Sequence, residues 1–373
     1  MMRPKVLLFF EYGTLNGGEF SLLAMLKVLA QTEFEFVAAA PVEGMLKERL
    51  ERCGIEVLPL TLRDADGQKL PIEQINIHLV DLFTRVRPDL VHSNSLSMGR
   101  MVGRIASQLP IPCTCHLRDI IKLNKTVVSD LNHNAGLIAV SDATKQFHIK
   151  QGMSSDKIQV IYNGVDTDMF CPRAAAGTLK RQLGLNDNAV LLANIGQICL
   201  RKGQTLLARA AVELAEEFPE VNTVFIGERH SQKAESIAYE KAIRDIYLQA
   251  GIEDRLFCPG FCHDIPTIIN EADVLVHAAH QEPLGRVLLE AAACGQAIVA
   301  TEVGGTAEIL TDQISALLVE PDDVKALITA IRRMLIDHKL AMRLGENARI
   351  AAIEKFSLTA ATASVGMFLK FFL

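Results

Sequence analysis

The chain has 373 residues, 49% of them hydrophobic and 22% charged, a globular composition too long for one ordinary core, so two domains are expected. The formal net charge of −6 excludes a general nucleic-acid binder. No run reaches the ~20 consecutive apolar residues of a membrane span.

Trp is absent and aromatic residues make up 5%, so the cores must be built from Leu, Ile, Val and Ala. The start, MMRPKVLLFFEYG, lacks the long apolar region and cleavage site of a signal peptide, which points to the cytoplasm. Eight cysteines are scattered along the chain. Cys113-x-Cys115-His116 and Cys258-x3-Cys262-His263 lack a standard zinc spacing, so reduced thiols and no metal are expected.

In chain order, Lys5 to Phe10 reads as a buried strand. Glu11 to Gly18 follows as a Gly-rich turn whose Gly17 and Gly18 let a ligand approach the backbone, and a helix runs from Glu19 to Ala30. The turn is not GxGxxG, and no acid follows where a dinucleotide cofactor needs one. Strands at Glu35 to Ala40 and Glu56 to Leu60 flank a helix, and Arg63 to Pro71 reads as a polar loop. Leu90-Val91-His92 is a further strand, with His92 at its end as a structural hydrogen bonder.

Pro110 to Asp119 gives a strand that stops at a polar cluster. The carboxyl ends of parallel strands line the ligand crevice in doubly wound sheets, which places His116 at such a crevice. Arg118, Lys122 and Lys125 read as a basic loop, either solvated or available to an anionic acceptor. Strands at Ala135 to Val140 and Lys157 to Ile161 lead to the turn Asn163-Gly164-Val165-Asp166, and Cys171 to Gly177 reads as a linker.

The alternation then restarts. Val190 to Ile195 is a strand, Gly196 to Gly203 a loop, Gln204 to Glu217 a helix, and Val221 to Ile226 a strand. Arg201 and Lys202, two cations in a glycine-bounded turn before a helix, suit a pyrophosphate. From Asp322 onward the chain reads as helical, ending in an apolar segment that either docks on the protein or touches a membrane.

Residues 277–310, HAAHQEPLGRVLLEAAACGQAIVATEVGGTAEIL, carry the densest chemistry. Glu282 and Glu290 have seven residues between them, and Arg286 to Ala293 is a strong helix former closed by Cys294-Gly295. With a helix starting near Pro283, both glutamates lie on one element, near one face. Its amino end suits a phosphate, and flanking carboxylates accept hydrogen bonds from hydroxyls, a combination that fits a nucleotide sugar. Spacing alone equally allows two unremarkable surface acids.

This stretch, with Asn-Gly-Val-Asp at 163–166 and Lys202-Gly203, resembles the retaining glycosyltransferases of family 4. The resemblance implies the α/β GT-B architecture, two doubly wound Rossmann-like domains facing a central cleft. It implies an N-terminal, mainly acceptor-binding domain over 1–170, a nucleotide-sugar domain over 171–355, and a last helix, 356–373, crossing back to the first. Glu282 then addresses the donor sugar, Glu290 the ribose hydroxyls, and the backbone of Leu284, Gly285 and Arg286 covers sugar and phosphates. Gly196, Arg201 and Lys202 hold the diphosphate, with Gln197 in place of the arginine common after that glycine. Gly17 and Gly18 lie against donor phosphate and acceptor, and His116 contacts the sugar as a catalytic group with Glu282, Arg201 and Lys202.

The implied reaction is metal-independent, retaining glycosyl transfer from a UDP-, GDP- or ADP-sugar to a glycan, lipid-linked or other hydroxyl acceptor, with no cofactor. The implied location is cytoplasmic, with weak peripheral contact at the inner membrane face allowed by the near-neutral first half. Two alternatives stay open: a nucleotide-sugar epimerase or hydrolase of the same architecture, and a non-catalytic nucleotide-sugar-binding protein.

Overall fold

Residues 3–373 are described by the computed structural model. Contacts divide the chain into two units, one running to Gly164 and taking in Leu358–Leu373, the other Val165–Ser357. The first unit is built on seven strands: β1 (Lys5–Phe9), β2 (Glu35–Ala40), β3 (Glu56–Pro59), β4 (Leu90–Ser93), β5 (Cys113–Leu117), β6 (Gly136–Ala139) and β7 (Ile158–Val160). Their order is β3-β2-β1-β4-β5-β6-β7, and every neighbouring pair is parallel. Helices cross over both faces, which is why the strands are near-continuous apolar runs.

One face of that sheet packs Val6, Leu8 and Phe36 under Leu22, Leu26 and Leu29 of the helix Gly17–Thr32. The other packs Leu7, Phe9 and Val91 under Leu79, Met98 and Val102. Ala361, Val365, Phe368 and Leu369 of the last helix, Leu358–Phe371, bury themselves in the first of these layers. Gly164 is required beside it, since a Cβ there would stand 2.6 Å from the Leu358 Cα.

The second unit has six parallel strands: β8 (Val190–Ile195), β9 (Val221–Ile226), β10 (Leu256–Gly260), β11 (Val274–His277), β12 (Ile298–Thr301) and β13 (Leu317–Val319). Their order is β10-β9-β8-β11-β12-β13. Its core is mostly aliphatic, with Leu192, Val274, Val276 and Val299 packed with Leu207, Leu214, Ile328 and Ile331 and joined by the buried Phe225 and Tyr247. In each sheet the direction of winding reverses once, between β1 and β4 in the first and between β8 and β11 in the second. The loops leaving such a reversal diverge and leave a crevice outside the carboxyl ends of the strands.

Several local expectations change. Gly17 and Gly18 are not a turn but the first turn of the helix Gly17–Thr32, because Asn16 caps it and the Glu19 carboxylate accepts from Asn16 N at 3.0 Å. Lys125 begins a helix, Lys125–Asn132, that the basic-loop reading misses; Asn124 Oδ1 accepts from Val127 N at 3.0 Å, and Val127, Val128 and Leu131 are buried. The helix after Pro283 starts at Arg286, with Gly285 in the left-handed region at φ 102° as its cap. Glu282 therefore lies in the preceding loop, and the two glutamates do not share one helix. No helix of the described residues is long and apolar enough to cross a membrane.

Candidate active site

In the second unit, the two loops at the sheet's reversal carry most of the predicted site. The loop after β8 ends in a 3₁₀ turn, Leu200–Lys202, and Gly203 opens the helix Gln204–Glu217 at φ 62°. A Cβ on Gly203 would lie 1.9 Å from the Ala278 carbonyl oxygen, so only glycine lets this turn press onto the loop leaving β11. Arg201 O accepts from His280 N at 2.9 Å across the same seam. Gly203→Ala is expected to destabilise the protein by about 1–3 kcal/mol, read from the urea midpoint, and to displace Lys202 with it.

That seam brings Lys202 and Glu282 together, 80 positions apart in sequence, with Lys202 Nζ 2.5 Å from Glu282 Oε2. The same carboxylate oxygen lies 2.9 Å from His277 Nε2 at the end of β11, and Arg201 Nη1 is 3.9 Å from Oε1. Arg201 also donates to the Gln281 carbonyl at 3.1 Å. Burial alone would raise the Glu282 carboxyl, but Lys202, His277 and Arg201 overcome it and hold the group well below the usual carboxylate range. For His277, burial and Lys202 push the pKa down against the pull of Glu282. It is therefore neutral near pH 7, with its Nε2–H donated to the carboxylate.

The loop from Glu282 to Gly285 is fixed from behind: Gly305 N donates to Glu282 O at 2.9 Å, and Leu284 is buried. A Cβ on Gly305 would meet the Pro283 carbonyl oxygen at 2.5 Å, the physical reason for the Gly-Gly turn at 304–305. Glu290 is buried at 6% exposure on the helix Arg286–Ala293. Burial raises its carboxyl, opposed by Arg286, whose Nη2 stands 2.7 Å from Glu290 Oε1. On the other side of β8, Gly196 (φ 149°) and Gly227 (φ 130°) pack tightly; a Cβ on Gly227 would meet the Gly196 carbonyl oxygen at 2.2 Å.

The first unit holds a separate polar cluster at its own reversal. His116, near the carboxyl end of β5, is 1% exposed, and its Nδ1 lies 2.8 Å from His92 Nε2. Arg118 is half-buried and tied down by hydrogen bonds, not part of an open basic loop. It donates to Asn94 Oδ1 from Nη2 at 2.9 Å and to Asn163 Oδ1 from Nη1 at 3.0 Å, and its side chain lies over Gly18, where a Cβ would be 2.7 Å from Arg118 Cδ. Burial brings the guanidinium pKa down to about 10 against the opposing pull of Glu19 and Asp119. A Cβ on Gly17 would meet nothing within 4 Å.

Sequence reasoning thus missed His277 and the pairing of Lys202 with Glu282. The signal for His277 was present, since it is a polar residue closing an apolar strand five residues before Glu282.

At the sheet reversal the structure thus gathers a buried cation–carboxylate pair, Lys202 with Glu282, just before the helix that carries the buried Glu290. Two family models match the chain: Glycosyltransferase Family 4 over residues 15–169 and Glycosyl transferases group 1 over residues 176–351. The chain belongs to this glycosyltransferase family. Among relatives of this glycosyltransferase, the UDP-Gal:alpha-D-GlcNAc-diphosphoundecaprenol alpha-1,3-galactosyltransferase of Escherichia coli is 26% identical over 76% of this chain and 75% of that protein. A D-inositol 3-phosphate glycosyltransferase of Corynebacterium aurimucosum is 26% identical over 88% of this chain and 79% of its own length. The crystal structure of Anabaena HepE in complex with UDP-glucose matches with a TM-score of 0.88 at 23% identity, covering 99% of this chain and all of that one. The fold of this glycosyltransferase is accordingly GT-B, two doubly wound α/β units.

Proposed function

We propose that this glycosyltransferase moves a sugar from a nucleoside-diphosphate donor (UDP-, GDP- or ADP-linked) to a glycan, lipid-linked or other hydroxyl acceptor, with retention of configuration and without a metal. The observation that carries the reading is the Glu282 carboxylate, held ionised by Lys202, His277 and Arg201 beside the start of the Arg286–Ala293 helix. The donor is assigned to Val165–Ser357 and the acceptor to the other unit, which carries His116. Arg201, Lys202, Gly196 and the N–H groups at Leu284, Gly285 and Arg286 take the diphosphate and its developing charge. Glu290 takes the ribose hydroxyls, Glu282 the sugar, and Gly17 and Gly18 the close approach of donor phosphate and acceptor.

In the proposed step the bond from the anomeric carbon to the diphosphate oxygen breaks, its electron pair leaving with the diphosphate. The acceptor oxygen bonds to the same face of the sugar, and its proton passes to the departing phosphate oxygen. The protein's part is positioning and charge stabilisation. A cytoplasmic site of action, with peripheral contact at the inner membrane face, belongs to the same proposal. It draws on the diphosphoundecaprenol acceptor in the name of the Escherichia coli relative.

A thermal-shift screen of UDP-, GDP- and ADP-sugars identifies the donor, because a ligand at 100 times its Kd adds about 2.7 kcal/mol to the folded state. With that donor and a suitable acceptor, the product is expected to keep the donor's anomeric configuration by NMR, at a rate unchanged by a chelator. An inverted product, or loss of the rate with chelator, overturns the retaining or metal-independent part. Donor binding without release of nucleoside diphosphate to any acceptor would favour a binding protein.

A further inference from the structure

We propose that Thr114 and His92 fix the tautomer of His116, leaving its Nε2 as a bare acceptor for a substrate hydroxyl. His92 and Thr114 are cross-strand partners in the β4–β5 register, and His116 lies two residues beyond Thr114, so all three side chains share one face of the sheet. None is more than 1% exposed, and the two imidazoles meet edge to face, with ring centroids 4.9 Å apart.

The proton order follows from counting donors. Thr114 Oγ1 donates to the Val91 carbonyl oxygen at 3.1 Å, the carbonyl being an acceptor only. The same Oγ1 is 2.9 Å from His92 Nδ1 and, having given its proton to Val91, must accept there. His92 is therefore protonated on Nδ1. Its Nε2, 2.8 Å from His116 Nδ1, is then an acceptor, and His116 carries its proton on Nδ1. This order needs two neutral rings. Burial and the nearby Arg118 favour that state, holding His92 down at about 3 and His116 well below its usual value.

Among the described residues His116 Nε2 has no protein partner, so the chain from Val91 ends on a lone pair. A neutral imidazole presenting a lone pair accepts the proton of a hydroxyl; the opposite tautomer would donate its N–H to the hydroxyl oxygen and leave that proton without this acceptor. Thr114 and His92 are positioning residues in this scheme, acting through His116. Its activity arm rests on the proposed sugar transfer, whereas its spectroscopic arm does not.

The test is a long-range 1H–15N spectrum of the imidazoles in the full chain, with His116 identified by the signal lost in His116→Ala. His116 is expected in the Nδ1–H form, the minor one for free histidine. Thr114→Val removes the acceptor that orients His92, so both rings are expected to reverse. His116 then shows Nε2–H, and kcat falls roughly tenfold or more with little change in the donor KM. Thr114→Ser restores both. A wild-type His116 protonated on Nε2, or a Thr114→Val chain that loses kcat without changing tautomer, overturns the proposal. If Thr114→Val does not fold, the wild-type spectrum alone decides. A wild type inactive with every donor yet showing Nδ1–H would sink the sugar-transfer reading and leave the tautomer lock standing.

Discussion

Lys202→Ala is expected to damage both stability and donor binding. Lys202 and Glu282 are both largely buried and 2.5 Å apart, and removing one partner of such a pair leaves a buried charge uncompensated, at a cost of about 3–5 kcal/mol. The pH dependence distinguishes this cause from lost packing. In the parent chain the Glu282 pKa is depressed, so its contribution is present above the ordinary carboxylate range and is lost only as pH falls through the folded value. Without Lys202 the burial penalty moves the carboxyl upward. Protonation then relieves the variant as pH falls, and the stability gap narrows from pH 7 towards the acid range. Urea unfolding at several pH values reads this directly; a gap independent of pH would assign the loss to packing. Donor affinity should also fall by about 1.5–3 kcal/mol, roughly 10–150-fold, through the lost charge-assisted contact.

Glu282→Gln is expected to lose stability as well, because it leaves the buried Lys202 charge uncompensated, but to spare nucleotide binding. It removes the charge that holds Lys202, so free nucleoside diphosphate should bind at least as well as to the parent. Transfer should nevertheless fall roughly a hundredfold, because a reacting carbon displaced by about an ångström loses most of its rate. Calorimetry gives the affinity and initial rates the turnover. A variant with weakened nucleotide and normal turnover would move Glu282 out of the sugar contact.

Both expectations rest on a pairing that the linear sequence does not display. The sequence separates Lys202 and Glu282 by 80 residues and offers one to the diphosphate, the other to the sugar. Only the β8–β11 adjacency, a consequence of the sheet reversal, joins their loops. The strands themselves were legible, because parallel strands buried on both faces are continuous apolar runs; Glu35–Ala40, Val190–Ile195 and Val221–Ile226 fall at their expected bounds. Helix starts were less legible where a cap decides them. Asn16 draws Gly17 and Gly18 into a helix, and Gly285 delays the next one to Arg286. Arg118 reads as basic surface because its neighbours are Lys122 and Lys125, yet Asn94 and Asn163, distant in sequence, claim its guanidinium. The short strand Leu317–Val319 is too brief for periodicity to mark.

Glu290 was legible as a residue but not as a buried one. Its raised pKa means that its contribution to stability is present below the ordinary carboxylate range and is lost as pH rises. Glu290→Gln should therefore fold at least as stably as the parent at pH 7, which makes it a clean probe of binding. The decisive measurement is calorimetric titration of the parent chain and Glu290→Gln with UDP, GDP and ADP and with the matching nucleotide sugar. One nucleoside diphosphate is expected to bind the parent. In the variant, free nucleotide and nucleotide sugar should both lose about 1.5–3 kcal/mol, the value of hydrogen bonds from ribose hydroxyls to a carboxylate. A Glu290→Gln chain that binds nucleotide as tightly as the parent would contradict the assignment of this site to a nucleotide-sugar donor.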